Sequence, residues 1–587
     1  MKTFGNWKLL LLIMGIFVSC NKDYTGKEQE LEEGKGAPNI SALSKTSGNI
    51  GDTLRIMGSF PNGGEVTFGV QKLDVVSATD KEIVVVVPFG TGSAFVMVNS
   101  GVFRSNKVTF TYMLPPAKEG VKIGDNYYDI DTTTIMDVGP GTKYMVLNFT
   151  DRYTTNHLKV HLTFIDAKNP RVSFKTVLAR DTVLNTETVP AMAVRKTVAG
   201  TNYFAGINGD LFNNTAGNAN LGRVNNTCIV DGLITNMNYA TPTYAPVYFN
   251  GKTIYFDPFE FVSYVQVPDG EKVAIKNVNN SRAQDDLILF NPARGKSTQT
   301  NNFGTEMAVT PVSGGWGDYT NVKVKINTKV VYGQFGNTAI PANGAVISGH
   351  DFSAIPLNRY GVGDVLTIAN YARNTATGAI AQQMVSGDLR ILDNGQVLNP
   401  VATRAARTVI GASADKSVIV FCAAEGVIAG ESVGISTNDL AEILKLYGVA
   451  DAVHMNGGAL STMYVKGAGF NNTGLVNRPG NTTTAPNAGN ALFVTSNAPT
   501  DNVVVKLIAD LYAPRVKAGA AITPKFYGLN QYGHIVSSNI SGVSLTEANG
   551  LGTVSGTTFT AGTTTGLTEL VATYNGMTTK VTVKIVP

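Results

Sequence analysis

The sequence predicts a multidomain chain in which a central α+β domain, with an α/β-like mixed sheet, is flanked by two all-β sandwiches. Three observations predict it. Gly, Thr, Asn and Val are abundant and only 15% of residues are charged, a composition of short strands and many turns. Short runs rich in β-branched residues, broken by turn clusters, fill both ends of the chain. Between them, residues 417–458 read as strand, helix, strand and glycine turn.

A chain of 587 residues is long enough for several domains. Residues 1–19 hold Lys2 and Lys8, then an apolar run from Leu9 to Val18. The run is shorter than the ~20 apolar residues a bilayer span needs. It fits the h-region of a signal peptide, ~7–15 residues. Ser19-Cys20 follows at once and resembles a lipobox, in which the cysteine is lipidated and becomes the mature N-terminus. Phe17 stands where such boxes usually carry leucine. Residues 20–36 are nearly devoid of apolar side chains and read as a tether. Lys22 and Asp23 resemble surface-export signals of Bacteroides-like bacteria. The expected location is the outer membrane, as a lipoprotein facing the periplasm or the cell surface.

Beyond Cys20 only Cys228 and Cys422 occur, so no disulfide framework is expected, with a single bridge between them left open. The net charge of +4 carries no basic block, which argues against a nucleic-acid partner.

Residues 37–114 form the first sandwich, with strands expected at Thr53–Met57, Val66–Val70, Ile83–Val87 and Phe95–Val98. Gly51–Phe60, Val66–Gly69, Val87-Pro88 and Phe110-Thr111-Tyr112 resemble an IPT/TIG immunoglobulin-like domain. Pro115-Pro116 closes it. Residues 503–587 form the second, ending on a strand that puts Val581, Val583 and Ile585 on one face. Gly552–Gly556 and Thr568–Tyr574 resemble a bacterial Ig-like (Big-type) repeat. His534 reads as a surface loop residue.

The central domain covers 117–500. Its first clear strand is His157–Phe164, with Leu158, Val160, Leu162 and Phe164 on one face and His157, Lys159 and His161 on the other. Histidines four apart on a strand are ~13 Å apart, too far to share one ion, so the second face reads as solvated. Ser417–Ala423 is a short apolar strand. Ser436, with Asp439 three residues on, marks a helix start. Leu440, Ile443, Leu444 and Tyr447 share a helical face, and Gly448 ends the helix. Ala452–Met455 then runs into Asn456-Gly457-Gly458. Ligands of such units sit past the carboxyl ends of the strands. Gly457 and Gly458 offer a backbone nest for an anion, with the Ser461 and Thr462 hydroxyls just beyond. Alone, a double glycine after a strand is only a tight turn.

The surroundings add to it. Ile207–Phe212, Val230-Asp231-Gly232, Arg407–Gly411, Gly434–Ser436, Leu440–Leu444, Asn456–Met463, Asn477-Arg478-Pro479 and Asn490–Val494 resemble, in order and spacing, the motifs of the phosphodiester glycosidase family. Asn279, Arg282, Asp286 and Glu306 lie in a similar segment, and the resemblance spans about 200 to 495. Three departures fall where chemistry is expected. Asn456 replaces the family's aspartate, Ala459-Leu460 its Gly-Ser, and Glu425-Gly426 its Asp-Gly. Asparagine cannot act as a general base.

The resemblance implies hydrolysis of a sugar-1-phosphodiester in an extracellular or envelope glycan or glycolipid, by a carboxylate and a charge clamp. Asp210, Glu425 and Glu306, in that order, are the candidate carboxylates. Arg407 is the candidate phosphate clamp, because a guanidinium can bind two oxygens in a fork. Gly457, Gly458, Ser461 and Thr462 would complete the anion site. Asn208, Thr408, Asn456 and Asn477 are the remaining substrate contacts, and His454 reads as a packed strand residue. No cofactor is required by this chemistry; a divalent cation is left open, without an EF-hand-like loop. Two alternatives remain: a carbohydrate-binding lipoprotein on the same fold with its chemistry lost, and an envelope adhesion or scaffold protein.

Overall fold

The computed structural model describes residues 36–69, 71–88, 90, 93–113, 120–237, 245–313, 316 and 319–587. The leader, Cys20, the tether up to residue 35, Val70 and the Pro115-Pro116 boundary lie outside the described residues. The architecture is large and multidomain, built of several separate β-sheets with few short helices. The chain divides into two compact units, one ending at Pro116 and the other beginning at Ala117.

In the first unit, Asn39–Leu43, Thr53–Ser59, Glu82–Val86 and Val75–Ala78 form one sheet. Glu65–Phe68, Ser93–Ser100 and Val108–Tyr112 belong to a second. Alternation decides which side chains turn inward: Leu54 and Ile56 are buried while Thr53 and Arg55 are exposed. Ile56 and Val85 from the first sheet meet Val98 and Phe110 from the second in one core.

The second unit is organised around a nine-stranded sheet. Its middle strands run in the order Thr142–Asp151, His157–Asp166, Val418–Ala424, Arg407–Ala412, Asp451–His454 and Leu389–Asp393. Arg407–Ala412 is antiparallel to both Val418–Ala424 and Asp451–His454, so those two are parallel with it between them. The helix Thr437–Leu446 connects them. The expected strand–helix–strand unit is therefore present, but every pairing in this sheet is antiparallel, so the mixed sheet expected from the sequence is not: the strand Arg407–Ala412 inserts between the two parallel strands and pairs antiparallel with both. The Ser436 hydroxyl caps the helix by accepting from Asp439 N at 3.0 Å. Leu440, Ile443 and Leu444 are buried on its inner face. Gly448 leaves the helix at φ +81°. We expect Ser436→Ala to lower stability by about 1 kcal/mol, the usual value of an N-cap side chain, measured by urea unfolding.

A four-stranded sheet (Val172–Leu178, Asn490–Ser496, Asn202–Asn208, Met463–Val465) and a five-stranded sheet containing Cys228–Val230, Gln383–Gly387 and Ala245–Asn250 pack with it. Phe421, Ile410 and Val453 of the large sheet join Ile207, Leu492, Val385 and Phe249 of the other two in one apolar core. Val418–Ala424 is buried at every position, as a strand covered on both faces must be. Its neighbour His157–Asp166 is covered likewise from Val160 to Ile165. The His161 face is therefore not solvated; it turns toward the four-stranded sheet, where Thr163 Oγ1 lies 3.6 Å from Met463 Sδ.

Residues 503–587 continue in the same compact unit. Ile508, Tyr527, Leu529 and Ile535 enter the core described above. Arg515 pairs with Asp131 at 2.9 Å, and Lys506 with Asp137 at 2.6 Å. His534 is not a surface residue. The Asn530–His534 turn folds back on the central sheets, which leaves His534 7% exposed with its ring edge-on to Phe204 at 5.0 Å. That burial pushes its pKa down to about 4. Cys228 and Cys422 are both free and buried.

Candidate active site around the Asn456 turn

The strand Asp451–His454 ends at a turn whose shape needs its two glycines. A Cβ on Gly457 would meet Ala406 O and His454 Nε2, each at 3.0 Å. Gly458 adopts φ +65°, with open space where a Cβ would stand. The turn is held from below by Asn208, at the end of Asn202–Asn208. Asn208 Nδ2 donates to Asn456 O at 2.6 Å. Its Oδ1 accepts from Thr462 N at 2.8 Å and from Thr408 Oγ1 at 2.9 Å. Asn477 acts in the same way on the far side, donating to Ser461 O at 2.8 Å and accepting from Met463 N at 2.7 Å. Asn208 and Asn477 are thus positioning residues engaged with the loop itself, and the Thr408 hydroxyl holds Asn208 in turn; all three are buried. Asn208→Ala leaves a buried carbonyl and a buried N–H without partners, each worth about 1–3 kcal/mol. We expect an unfolding midpoint lowered accordingly and faster amide exchange at Thr462.

The anion nest is largely filled by the protein. Gly458 N donates to Ala406 O at 2.9 Å and Thr462 Oγ1 to Leu460 O at 3.0 Å. Ser461 Oγ is buried and has no partner among the described residues. Arg407 is half-buried, and two of its nitrogens face carbonyls: Nε to Ile435 O at 3.3 Å and Nη2 to Thr403 O at 2.5 Å. Its Nη1 faces His454 Nε2 at 3.5 Å, the longest of the three contacts.

Two buried carboxylates, one bonded to the turn and one to Arg478 beside its brace Asn477, stand in opposite electrostatic settings. Asp210 is 2% exposed. Its Oδ1 accepts from Ser386 N at 3.0 Å and its Oδ2 from Asn490 Nδ2 at 2.6 Å. Asn456 Nδ2 reaches Asp210 O at 3.4 Å, which ties this residue to the turn. Burial pushes the Asp210 carboxyl up to about 7, against the pull of those two donors. Glu425, just past Val418–Ala424, is also 2% exposed. Its Oε1 faces His161 Nε2 at 3.1 Å, and Arg478 N donates to both oxygens at 3.0 and 3.1 Å. Burial alone would raise this carboxyl, but the His161 contact and the Arg478 N–H outweigh it and hold it below the usual carboxylate range. The other His161 nitrogen, Nδ1, meets the Tyr144 hydroxyl at 2.7 Å.

Glu306 lies elsewhere. It sits in the eight-stranded sheet, with its oxygens bonded to Thr298, Thr300, Ser348 and Thr338 N. Arg282 stands 3.6 Å from it. None of these partners belongs to the cluster around Asp210 and the turn.

Sequence reasoning missed two groups. The His161 face, expected to be solvated, is covered; the unbroken apolar run Val418–Ala424, which implies a strand covered on both sides, is the signal for it. Asp388 was not singled out at all. Its Oδ1 lies 2.6 Å from His454 Nδ1, so the imidazole directs Nε2 at Arg407 and the underside of Gly457. Asp388, His454 and Arg407 form one chain, with Asp388 35% exposed at its outer end. Among the described residues no group of three or more His, Cys, Asp or Glu side chains is placed to hold a metal ion.

Residues 320–495 match the family model for phosphodiester glycosidases. Arg407, Glu425, the 456–462 loop and Asn477 fall inside that span; Asn208, Asp210 and Glu306 precede it. No curated protein matches the chain. Solved structures similar to it include a hypothetical protein from Synechocystis (15% identity, 80% of this chain and 85% of that one, TM-score 0.46). A protein of Burkholderia pseudomallei is similar at 14% identity over 78% of this chain and 98% of that one, TM-score 0.44. The catalytic domain of zebrafish N-acetylglucosamine-1-phosphodiester alpha-N-acetylglucosaminidase, auto-inhibited by its pro-peptide, is similar at 12% identity over 62% of this chain and 87% of that one, TM-score 0.30.

Proposed function

We propose that this chain hydrolyses a sugar-1-phosphodiester in an extracellular or envelope glycan, at the Asn456–Gly458 turn. The family-model match over 320–495 supports a hydrolase in general terms. The observation that carries the finer reading is the pair of buried carboxylates tied to the loop, Asp210 through Asn456 and Glu425 through Arg478 beside the brace Asn477, with Glu425 held low and Asp210 pushed up to about 7. Environments that drive two carboxyl groups apart supply one base and one acid at the same pH.

In this reading Glu425 is the ionised member. It takes a proton from water as the water attacks the anomeric carbon. The bond from that carbon to the phosphate oxygen breaks, and the phosphate monoester leaves with the electron pair. Asp210 holds a proton near neutrality and serves the departing side. Arg407 Nη1 exchanges its long contact with His454 for a phosphate oxygen. Asn456 orients the sugar and performs no proton transfer. Lipidation at Cys20 would hold the chain at the outer membrane, and residues 37–114, read as an IPT/TIG-like sandwich, would space the catalytic unit from the bilayer. Residues 503–587, read as a Big-type sandwich, brace that unit.

The test is incubation of the purified chain with a uridine diphosphate sugar and with a sugar-1-phosphodiester. Free sugar is the expected product, reduced when Arg407 is changed to alanine. A second reading, binding without turnover, draws support from Asn456, which lacks the carboxylate of the family motif. Saturable glycan binding with no sugar released from any phosphodiester would favour it.

A further inference from the structure

A separate cleft opens on the loop that follows Asp210. It holds about 330 Å³ and is lined by Asn213, Asn220, Arg223, Asn236, Asn277 and Asn280 among others. That volume sits at the lower end for small-molecule sites and suits one sugar ring. The loop is fixed by its own backbone: Asn225 N donates to Leu211 O at 2.8 Å and Gly222 N to Asn213 O at 2.8 Å.

Two groups in the cleft are buried without a partner among the described residues. Arg223 uses Nη2 on Asn279 O at 2.5 Å, but Nε and Nη1 are both buried and unbonded. Asn236, 3% exposed, donates through Nδ2 to Val224 O and Asn226 O and leaves Oδ1 unbonded. Leaving a buried charged donor unsatisfied costs more than leaving a neutral one, so such groups normally have partners. Among the described residues neither Arg223 nor Arg294 forms an ion pair. Burial, and then the Arg294 charge, lowers the Arg223 guanidinium to about 10. The cleft is therefore lined by an uncompensated positive charge and a rim of amides. An unpaired guanidinium attracts a carboxylate or a phosphate. Amides, each both donor and acceptor, match the hydroxyls of a sugar.

We propose that this cleft binds a saccharide unit carrying a carboxylate or a phosphate, with the anion held by the unpaired charge of Arg223 and the sugar hydroxyls by the amides of the rim. The proposal does not depend on hydrolysis at the Asn456 turn, and binding without any turnover satisfies it.

Calorimetric titration of the purified chain with glucuronic acid, glucose 6-phosphate, glucose and inorganic phosphate tests it. At least one acidic sugar is expected to bind one per chain, about tenfold or more tighter than glucose and than inorganic phosphate. Arg223→Gln is expected to remove about tenfold or more of that affinity, while Asp210→Asn leaves it unchanged. Asn220 is exposed on the rim, so charge changes there leave the fold intact. Asn220→Asp should weaken acidic-sugar binding and Asn220→Lys should strengthen it, even if Arg223→Gln fails to fold. Binding of neither acidic sugar, equal affinity for glucose, equal affinity for inorganic phosphate, or indifference to both Asn220 changes would each overturn the proposal.

Discussion

Glu425→Gln is expected to reduce sugar release by about two to four orders of magnitude, the usual contribution of a positioned base. The substitution keeps the shape but removes the charge. It also turns one acceptor into a donor beside His161 Nε2 and Arg478 N, which already point at the carboxylate. A stability loss of about 1–3 kcal/mol from the opposed donors accompanies the loss of turnover. The two effects separate by pH. Glu425 is held below its ordinary value of 4.5 in the folded chain. Its stabilisation is therefore fully present above about that pH and is lost as pH falls through the lower, folded-state value. Urea unfolding of the native chain should show this acid limb, and the glutamine variant should lack it. A variant that unfolds normally at neutral pH yet keeps full turnover would remove Glu425 from the chemistry.

Asp210→Asn should produce the opposite pH signature. Here the folded value, about 7, lies above the unfolded value of 3.8. Between those values the folded chain binds more protons than the unfolded chain, so stability falls as pH rises from about 4 to about 7 and levels off beyond. At 1.36 kcal/mol per unit, the decline amounts to several kcal/mol. Asparagine carries no such proton and should flatten the slope, although its amide N–H meets either Ser386 N or Asn490 Nδ2 at some cost at every pH. Turnover of the native chain should also fall above about pH 7 as Asp210 loses its proton, a limb that the variant lacks. Denaturation series across this range, with matched rates, check both parts; an unchanged slope in Asp210→Asn would place the titrating group elsewhere.

Parts of this arrangement were legible because local chemistry determined them. Ser436, the face Leu440–Leu444 and Gly448 carry a helix through capping, periodicity and a left-handed exit, all short-range effects. The strand expected at Thr53–Met57 is likewise present, as Thr53–Ser59. The pairing of His157–Asp166 with Val418–Ala424 joins residues some 260 positions apart (His161 to Glu425, 264 in sequence), and nothing local specifies it. His161 therefore looked solvated, although it is buried against Glu425. His534 was misread for the same reason, since only tertiary packing brings its turn onto Phe204. The motif residues Asn208, Asn477 and Thr408, expected as substrate contacts, have the two amides on the loop and the hydroxyl on Asn208. Sequence identifies such residues as belonging together; only the geometry tells a brace from a ligand contact.

Cleavage at the anomeric carbon is the central claim, and hydrolysis of a sugar-1-phosphodiester in heavy-oxygen water tests it most directly. The account predicts that the label enters the released sugar and not the phosphate monoester, and that Glu425→Gln lowers the rate at which labelled sugar forms by about two to four orders of magnitude. Label in the phosphate, or labelled sugar formed equally by the glutamine variant, would contradict it.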